Sequence, residues 1–219
     1  YAADTPDYQF RDNNELQLSL LSIAKYAPWV RYIHIICANY QRPDLTGISN
    51  HLIKKIRFVD HQQIMDPNNF PTFNSRAIET CLHRVPDCAE HFLYFNDDMF
   101  FGAPVEPSDF FSPDGSAYFL TQHSFDYCYH WFYKFLKSGR TVQFNTSIKT
   151  FLKANQSQFL YWRFFKKPLH QCYPCVKRAF ITCWLHPSLK HALAITQANK
   201  TRSHSDCSPM YLIQLLAFF

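Results

Sequence analysis

HFLYFNDDMFFG, His91 to Gly102, is the stretch on which the reading of the chain turns. Its apolar and aromatic run, Phe92 to Phe95, stops at Asn96-Asp97-Asp98, and hydrophobic residues resume at Met99, Phe100 and Phe101. A short β-rich run bounded by polar residues is the pattern of a buried strand in an α/β sheet. Two adjacent acids at its end then fall on the carboxyl edge of the sheet, where open α/β folds bind ligands. Carboxylates beside a core strand are costly unless a cation or hydrogen-bond donors compensate them. A divalent ion on a diphosphate would do so, because Mg²⁺ is commonly held by one or two carboxylates plus substrate phosphates. The competing reading is a solvated turn in which Asn96 or Asp97 caps the next element.

Upstream, FRDNNELQLSLLSIAKYAPWV predicts a helix. Asp12 and Glu15 have capping-box spacing, Leu16, Leu20, Ile23, Ala24 and Ala27 follow at helical intervals, and Pro28 ends the run. Arg11, Asp12, Asn13 and Asn14 thus crowd a helix N-terminus, which favours an anion. Plain capping accounts for Asp12 equally well, but a cation such as Arg11 gains nothing there without an anion. YIHIICA (32–38) and Ile56 to Val59 read as strands, the second ending at Asp60-His61. FPTFNSRAIETCLHRV restarts a helix at Asn74 or Ser75, with Ala77, Ile78, Cys81, Leu82 and Val85 on one face. Thr72, Asn74, Ser75 and Arg76 at its entrance form a second potential anion cradle. This alternation of elements is that of a mostly parallel α/β sheet with both helix entrances and the acids on one edge.

Downstream, residues 109–165 are aromatic-rich, and FDYCYHWFYKFLK and FNTSIKTFLKAN are helical candidates for a lid or acceptor-side segment. PLHQCYPCVKRAFITCWLHPSLKHAL then places His170 ahead of a helix from about Val176. KTRSHSDCSPMYLIQLLAFF places Arg202, His204 and Asp206 ahead of another.

With 219 residues, 47% hydrophobic and 18% aromatic, the chain can bury a substantial core. Only 4 Gly against 22 Phe and 13 Tyr argues against low complexity. The net charge of +5 suits an anionic substrate or a membrane surface and is too mild to imply nucleic acid. No apolar run approaches the ~18 residues of a spanning helix, and there is no signal-peptide pattern. Eight irregularly spaced Cys point to reduced thiols in a cytosolic enzyme rather than a disulfide framework. Because the first residue is Tyr1 and the apolar run ending at Phe219 has no stop signal, the expectation is a piece of a longer chain.

FRDNNELQLSLLSIAKYAPWVRYIHII, VDHQQI and FPTFNSRAIETCLHRVPDCAEHFLYFNDDMFFG closely resemble the second conserved region of the Stealth proteins. These are sugar-1-phosphate transferases that build phosphodiester-linked bacterial capsules. The family includes the catalytic subunit of the lysosomal-enzyme N-acetylglucosamine-1-phosphotransferase. PLHQCYPCVKRAF and TRSHSDCSPMYLIQLLAFF resemble the family's third region more loosely, with Cys172 where the family often has Pro. The resemblance implies a glycosyltransferase-A-like, nucleotide-sugar-binding core (1–108), an aromatic-rich helical insertion (109–165) and a segment completing the site (166–219). The family's first region, which supplies a strand, has no counterpart here. Residues 1–219 alone are therefore expected to aggregate or to be inactive without it.

What the resemblance implies is transfer of a hexose 1-phosphate, such as N-acetylglucosamine 1-phosphate, from a nucleotide-diphosphate sugar to a saccharide hydroxyl. Such chemistry asks mostly for positioning and charge neutralisation. Asp97 and Asp98 would hold Mg²⁺ or Mn²⁺. Arg11 and Arg202 would pair with phosphate oxygens, and Asp12, Asn14, Asn74, Ser75, Arg76, Asn96, His204 and Asp206 would complete the substrate contacts. His170, of unperturbed pKa ~6.5, is the candidate base for the acceptor hydroxyl. The expected setting is the cytoplasm at the inner face of the membrane, with no nucleic-acid partner. Two rivals remain: a metal-dependent glycosyltransferase releasing nucleoside diphosphate, and a zinc-binding interaction module built on Cys172, Cys175, Cys183 and His186.

Overall fold

The structure, a computed structural model, describes residues 13–118, 121–122, 167–168, 172–210 and 212–213. Helix α1 (Glu15–Tyr26) leads into β1 (Ile33–Cys37), a short α2 (Asn50–Ile53) and β2 (Ile56–Asp60). The start of α1 corrects the capping-box expectation. Glu15 stands at the first helical position, and its carboxylate accepts from the Asn13 backbone N–H at 2.7 Å and the Asn13 amide at 2.8 Å. Asn14, with φ of 63°, turns the chain into the helix in the left-handed region that Asn tolerates.

β1 and β2 pair in parallel, from Ile33 opposite Ile56 to Cys37 opposite Asp60. Leu20 of α1 and Leu52 of α2 cover this pair together with Ile48 and Ile56. Since Leu20 is almost wholly buried, Leu20→Ala would cost about 2–5 kcal/mol. Asp60 joins the two strand ends. Its carboxylate accepts from the Gln62 N–H at 2.9 Å, capping α3 (His61–Ile64), and from the Tyr40 N–H in the loop after β1 at 2.5 Å. Burial alone would raise the Asp60 carboxyl, but these two donated bonds, with His61 and Arg42 nearby, hold it below the usual carboxylate range.

After α3 come a 3₁₀ turn (Pro67–Asn69) and α4 (Ser75–Glu79), then a second 3₁₀ turn (Leu82–Arg84) and β3 (His91–Tyr94). Ala77, Cys81, Leu82 and Val85 are buried as the helical spacing predicts, although the run breaks after Glu79 into the tighter turn. Val59, Ile64 and Met65 from β2 and α3 meet Ala77, Cys81 and Val85 in one cluster.

The strand carrying Asn96-Asp97-Asp98 departs from the expectation. β3 pairs antiparallel with β6 (Tyr173–Val176), Tyr94 opposite Tyr173 and His91 opposite Val176, and among the described residues it does not pair with β1 or β2. Parallel pairing therefore holds for β1 and β2 and fails for β3. Chain direction is the reason: β6 returns beside β3 and feeds directly into α5 (Lys177–Leu185). Helix α6 (Pro187–Ala198) follows, and α5 begins where the sequence predicted, with Val176 as its N-cap. Phe180, Leu189, Leu193, Leu212 and Ile213 fill the largest cluster, against which Phe92 and Tyr94 of β3 pack. Ile36 of β1 touches both this cluster and the one around Ala77. A third pair, β4 (Thr121–Gln122) and β5 (Lys167–Pro168), is antiparallel. The helical candidates between Phe125 and Asn155 lie outside the described residues. Among those described, no helix is long and apolar enough to cross a membrane.

Candidate active site

β3 ends at Tyr94, and the chain turns at once through Asn96-Asp97-Asp98, closed by a bond from the Met99 N–H to the Asn96 carbonyl at 3.2 Å. It then runs along α1, where the Phe101 N–H donates to the Ser22 hydroxyl at 3.0 Å and the Val105 N–H to the Tyr26 carbonyl at 2.9 Å. Asp97 and Asp98 are exposed at the turn, and neither carboxylate has a hydrogen-bond partner among the described residues. Two adjacent oxygen donors left to solvent suit a hard divalent ion that also keeps water and phosphate ligands. No group of three His, Cys, Asp or Glu side chains among the described residues converges as a metal site.

Two distant segments meet at the start of α4. Asn74, wholly buried, accepts from the Arg76 N–H at 3.2 Å and donates to Asp206 Oδ2 at 3.0 Å and the Asn199 carbonyl at 3.2 Å. Asp206, also wholly buried, accepts in addition from Asn199 Nδ2 at 2.6 Å and the Ser203 N–H at 2.9 Å. Asn74 and Asp206 thus sit behind the surface, tying the loop after α6 to the entrance of α4, rather than facing a substrate. Lys200 reinforces the tie through Nζ bonds to the Asn68 and Phe70 carbonyls.

What this tie delivers is Arg202. Its Nη2 donates to the Ser75 hydroxyl at 2.9 Å, which brings it beside Arg76. Burial, and then the charge of Arg202, act against the charged form of Arg76. Its Nη1 is buried without a hydrogen-bond partner among the described residues. Two neighbouring guanidinium groups, one of them with a buried and unpartnered nitrogen, are unfavourable in isolation and favourable around an anion.

Glu79 completes the group. Loss of hydration pushes its carboxyl up to about 7, against the pull of Arg76 and Arg202 and a Tyr94 O–H bond of 3.4 Å. Burial and the Glu79 charge likewise hold the Tyr94 phenol above its ordinary value, and its ring stacks on Tyr173 with centroids 6.3 Å apart. The sequence reading missed Glu79 and Tyr94. The available signal was an acid in a helix between Ile78 and Thr80 whose neighbours Ala77 and Cys81 are core residues.

Of the residues expected at the site, Ser75, Arg76, Arg202, Asn74 and Asp206 come together. Asn96 is half-buried at the turn after β3, and His204 is exposed two residues beyond Arg202. Asn14 is exposed at the start of α1. Arg11, Asp12 and His170 lie outside the described residues.

The zinc arrangement is overturned. Cys175 and Cys183 are wholly buried in the apolar cluster with Phe180, and burial drives the Cys183 thiol to about 12, the Cys172 thiol to about 11 and the Cys175 thiol well above its ordinary value. No three of Cys172, Cys175, Cys183 and His186 come together as a group that could hold one ion.

Residues 9–119 match the profile of Stealth protein CR2, conserved region 2. The chain is 44% identical over 130 residues to the capsular polysaccharide phosphotransferase fcs1 of Haemophilus influenzae, covering 59% of this chain and 34% of that protein. It is 33% identical over 218 residues to the exopolysaccharide phosphotransferase SCO6021 of Streptomyces coelicolor, covering 95% of this chain and 36% of that protein. Against a capsular polysaccharide phosphotransferase of Neisseria meningitidis serogroup B it is 40% identical over 126 residues, covering 57% and 32%. The matched stretch is about a third of the length of each of these relatives.

Proposed function

We propose, since the chain belongs to the Stealth family, that it takes part in moving a sugar 1-phosphate from a nucleotide-diphosphate sugar to a saccharide hydroxyl, in the synthesis of a phosphodiester-linked surface polysaccharide. The observation that carries this reading is the pairing of Arg76 and Arg202, with one guanidinium nitrogen buried and unpartnered, beside a carboxyl poised near neutrality. Phosphoryl transfer needs such charge at the transferring group more than it needs covalent chemistry. Arg76 and Arg202 hold phosphate oxygens of the donor, Ser75 orients Arg202, and Glu79 fixes both guanidinium groups through its charge. Asn74 and Asp206 act as positioning residues. His170 accepts the proton of the attacking hydroxyl, Arg11 pairs with phosphate oxygens as Arg202 does, and Asp12, Asn14, Asn96 and His204 complete the substrate contacts.

Asp97 and Asp98 would hold a Mg²⁺ or Mn²⁺ ion, which supplies countercharge to the diphosphate as the nucleoside monophosphate leaves. We further propose a glycosyltransferase-A-like sheet. Ile36 of β1 packs both against the cluster around Ala77 and against the one on which β3 packs, which supports one sheet uniting the two pairs. In that arrangement the aromatic residues of 109–165 cover the acceptor side, and the intact enzyme works at the inner face of the membrane.

The test is incubation of the intact protein with a panel of nucleotide-sugars and a saccharide acceptor, following the nucleotide product. Release of nucleoside monophosphate, abolished by EDTA and reduced by orders of magnitude in Asp97→Asn or Asp98→Asn, is expected. Release of nucleoside diphosphate would overturn the reading in favour of glycosyl transfer. His170→Ala should lower the maximal rate by about 10²-fold while donor affinity stays within a few-fold. A loss of donor affinity at unchanged maximal rate would make His170 a binding residue.

A further inference from the structure

Charge is divided unevenly along the chain. Residues 1–114 hold 15 of the 17 Asp and Glu but 9 of the 22 Lys and Arg, a net of −6. Residues 115–219 hold 13 Lys and Arg against Asp126 and Asp206, a net of +11. The mild total of +5 thus conceals one strongly basic half, the asymmetry of a chain that meets an anionic surface or polymer. Helices α5 and α6, from Lys177 to Ala198, contain no acid at all.

Packing turns this composition into a surface. Ala179, Phe180 and Cys183 of α5 are buried in the largest cluster, so the opposite face, with Arg178, Ile181, Thr182 and Leu185 at helical spacing, is exposed. Leu185, at 77%, is the most exposed large apolar side chain among the described residues. It stands at the corner where α5 ends and His186 leads directly into α6, and at that exposure it projects instead of lining a groove. Basic groups flank it. Arg178 lies two turns earlier on the same face, Lys190 is exposed near the start of α6, and Arg84 sits over the Trp184 ring, 5.6 Å from its centroid. The acid next to this face, Glu90, has one carboxylate oxygen occupied by the Arg178 backbone N–H at 3.1 Å.

We infer that the exposed face of α5, centred on Ile181 and Leu185 and flanked by Arg84, Arg178 and Lys190, docks on an anionic membrane surface. The inference rests on the membrane setting proposed above and assigns the surface that makes the contact. An aliphatic side chain on a convex corner needs no matching pocket in lipid. It sinks into the boundary between headgroups and acyl chains, while guanidinium and ammonium groups meet the phosphates. Charge argues against occupants drawn from this chain: residues 123–166 carry seven Lys and Arg against Asp126, and the same face of a second copy is equally basic. The site stays near the docked corner. Helix α6 spans about 18 Å, and the four residues from Ala198 to Arg202 add at most about 14 Å.

The experiment is co-sedimentation of the intact protein with vesicles of phosphatidylcholine alone, or of phosphatidylcholine mixed with phosphatidylglycerol. It requires no turnover and so is independent of the transferase reading. Binding is expected to the anionic vesicles only, and to weaken as salt rises. Leu185→Ser should lower it by about tenfold and Arg178→Gln by about fivefold. Lys54→Gln removes the same charge from the exposed end of α2, outside this face, and should leave binding within about twofold. All three side chains are exposed, and thermal melts like the parent's show that the variants are folded. Vesicle binding that neither Leu185→Ser nor Arg178→Gln weakens would overturn the inference and leave the membrane setting to another surface. Binding to neither kind of vesicle would overturn both. A loss in Arg178→Gln with none in Leu185→Ser would assign the face to a soluble polyanion, and a dimer that Leu185→Ser dissociates would assign it to a second copy. Either result overturns the membrane assignment.

Discussion

Glu79 shows how one side chain can carry a pH signature for the whole site. Its carboxyl rises from 4.5 to about 7 chiefly through burial, so the folded protein holds this proton more tightly than the unfolded chain does. The associated stability is fully present below pH 4.5 and is lost as pH rises through 7. Glu79→Gln removes the titration. In the ligand-free protein its stability advantage over the parent should therefore grow between pH 4.5 and 7 and level off above, at up to about 3 kcal/mol. Thermal melts across that range check this, and a difference independent of pH would refute it. Arg202 yields a second expectation at this scale. Arg202→Lys keeps the charge but loses the bond to Ser75 and the two-pronged geometry, so pyrophosphate affinity should fall by about tenfold or more. Isothermal titration measures it, and equal affinity would reduce the contact to simple charge.

At the level of elements, what the sequence made legible was whatever is decided locally. The helical spacing of Leu16, Leu20 and Ile23 marked α1, the polar stop at Asp60 marked the end of β2, and α5 begins after Val176 as read. The partner of β3 was illegible because it is set by a strand some 80 residues away that contains Pro174, a residue that ordinarily argues against a strand. The start of α1 was misplaced because Asp12 and Glu15 fit one local motif while Asn13 and Glu15 make the actual bonds. Of the residues expected at the site, Asn74, Ser75, Arg76, Arg202 and Asp206 are brought together, but whether each faces outward or inward depends on tertiary contact. Asn74 and Asp206 face inward. Asp206→Ala would remove a buried acceptor shared by the Asn74 amide, the Asn199 amide and the Ser203 N–H, costing about 3 kcal/mol in urea unfolding and loosening Arg202 as well. A stability within experimental error of the parent would show that the tie is dispensable.

At the scale of the molecule, three apolar clusters among the described residues divide the labour. One backs β1 and β2, one seats α4, and the largest anchors β3 through β6, α5 and α6. Cys175, Cys183 and Cys207 belong to the last as small apolar side chains, and Cys81 to the second. Native protein should accordingly react with a thiol reagent at these four positions only on unfolding, and carry no stoichiometric zinc. Rapid labelling of Cys175 or Cys183 in the folded state, or one zinc per chain released by a chelator, would contradict this. The amphipathic pattern announced that such cores exist, but not how they would be divided, since that depends on which strands pair.

Asp60 carries a dynamic consequence. The amide protons of Tyr40 and Gln62 point at one carboxylate instead of entering a strand ladder, so neither is shielded by its own secondary structure. Any fluctuation that withdraws Asp60 exposes both to solvent together. In hydrogen exchange the two amides, 22 residues apart in sequence, should therefore share one opening free energy.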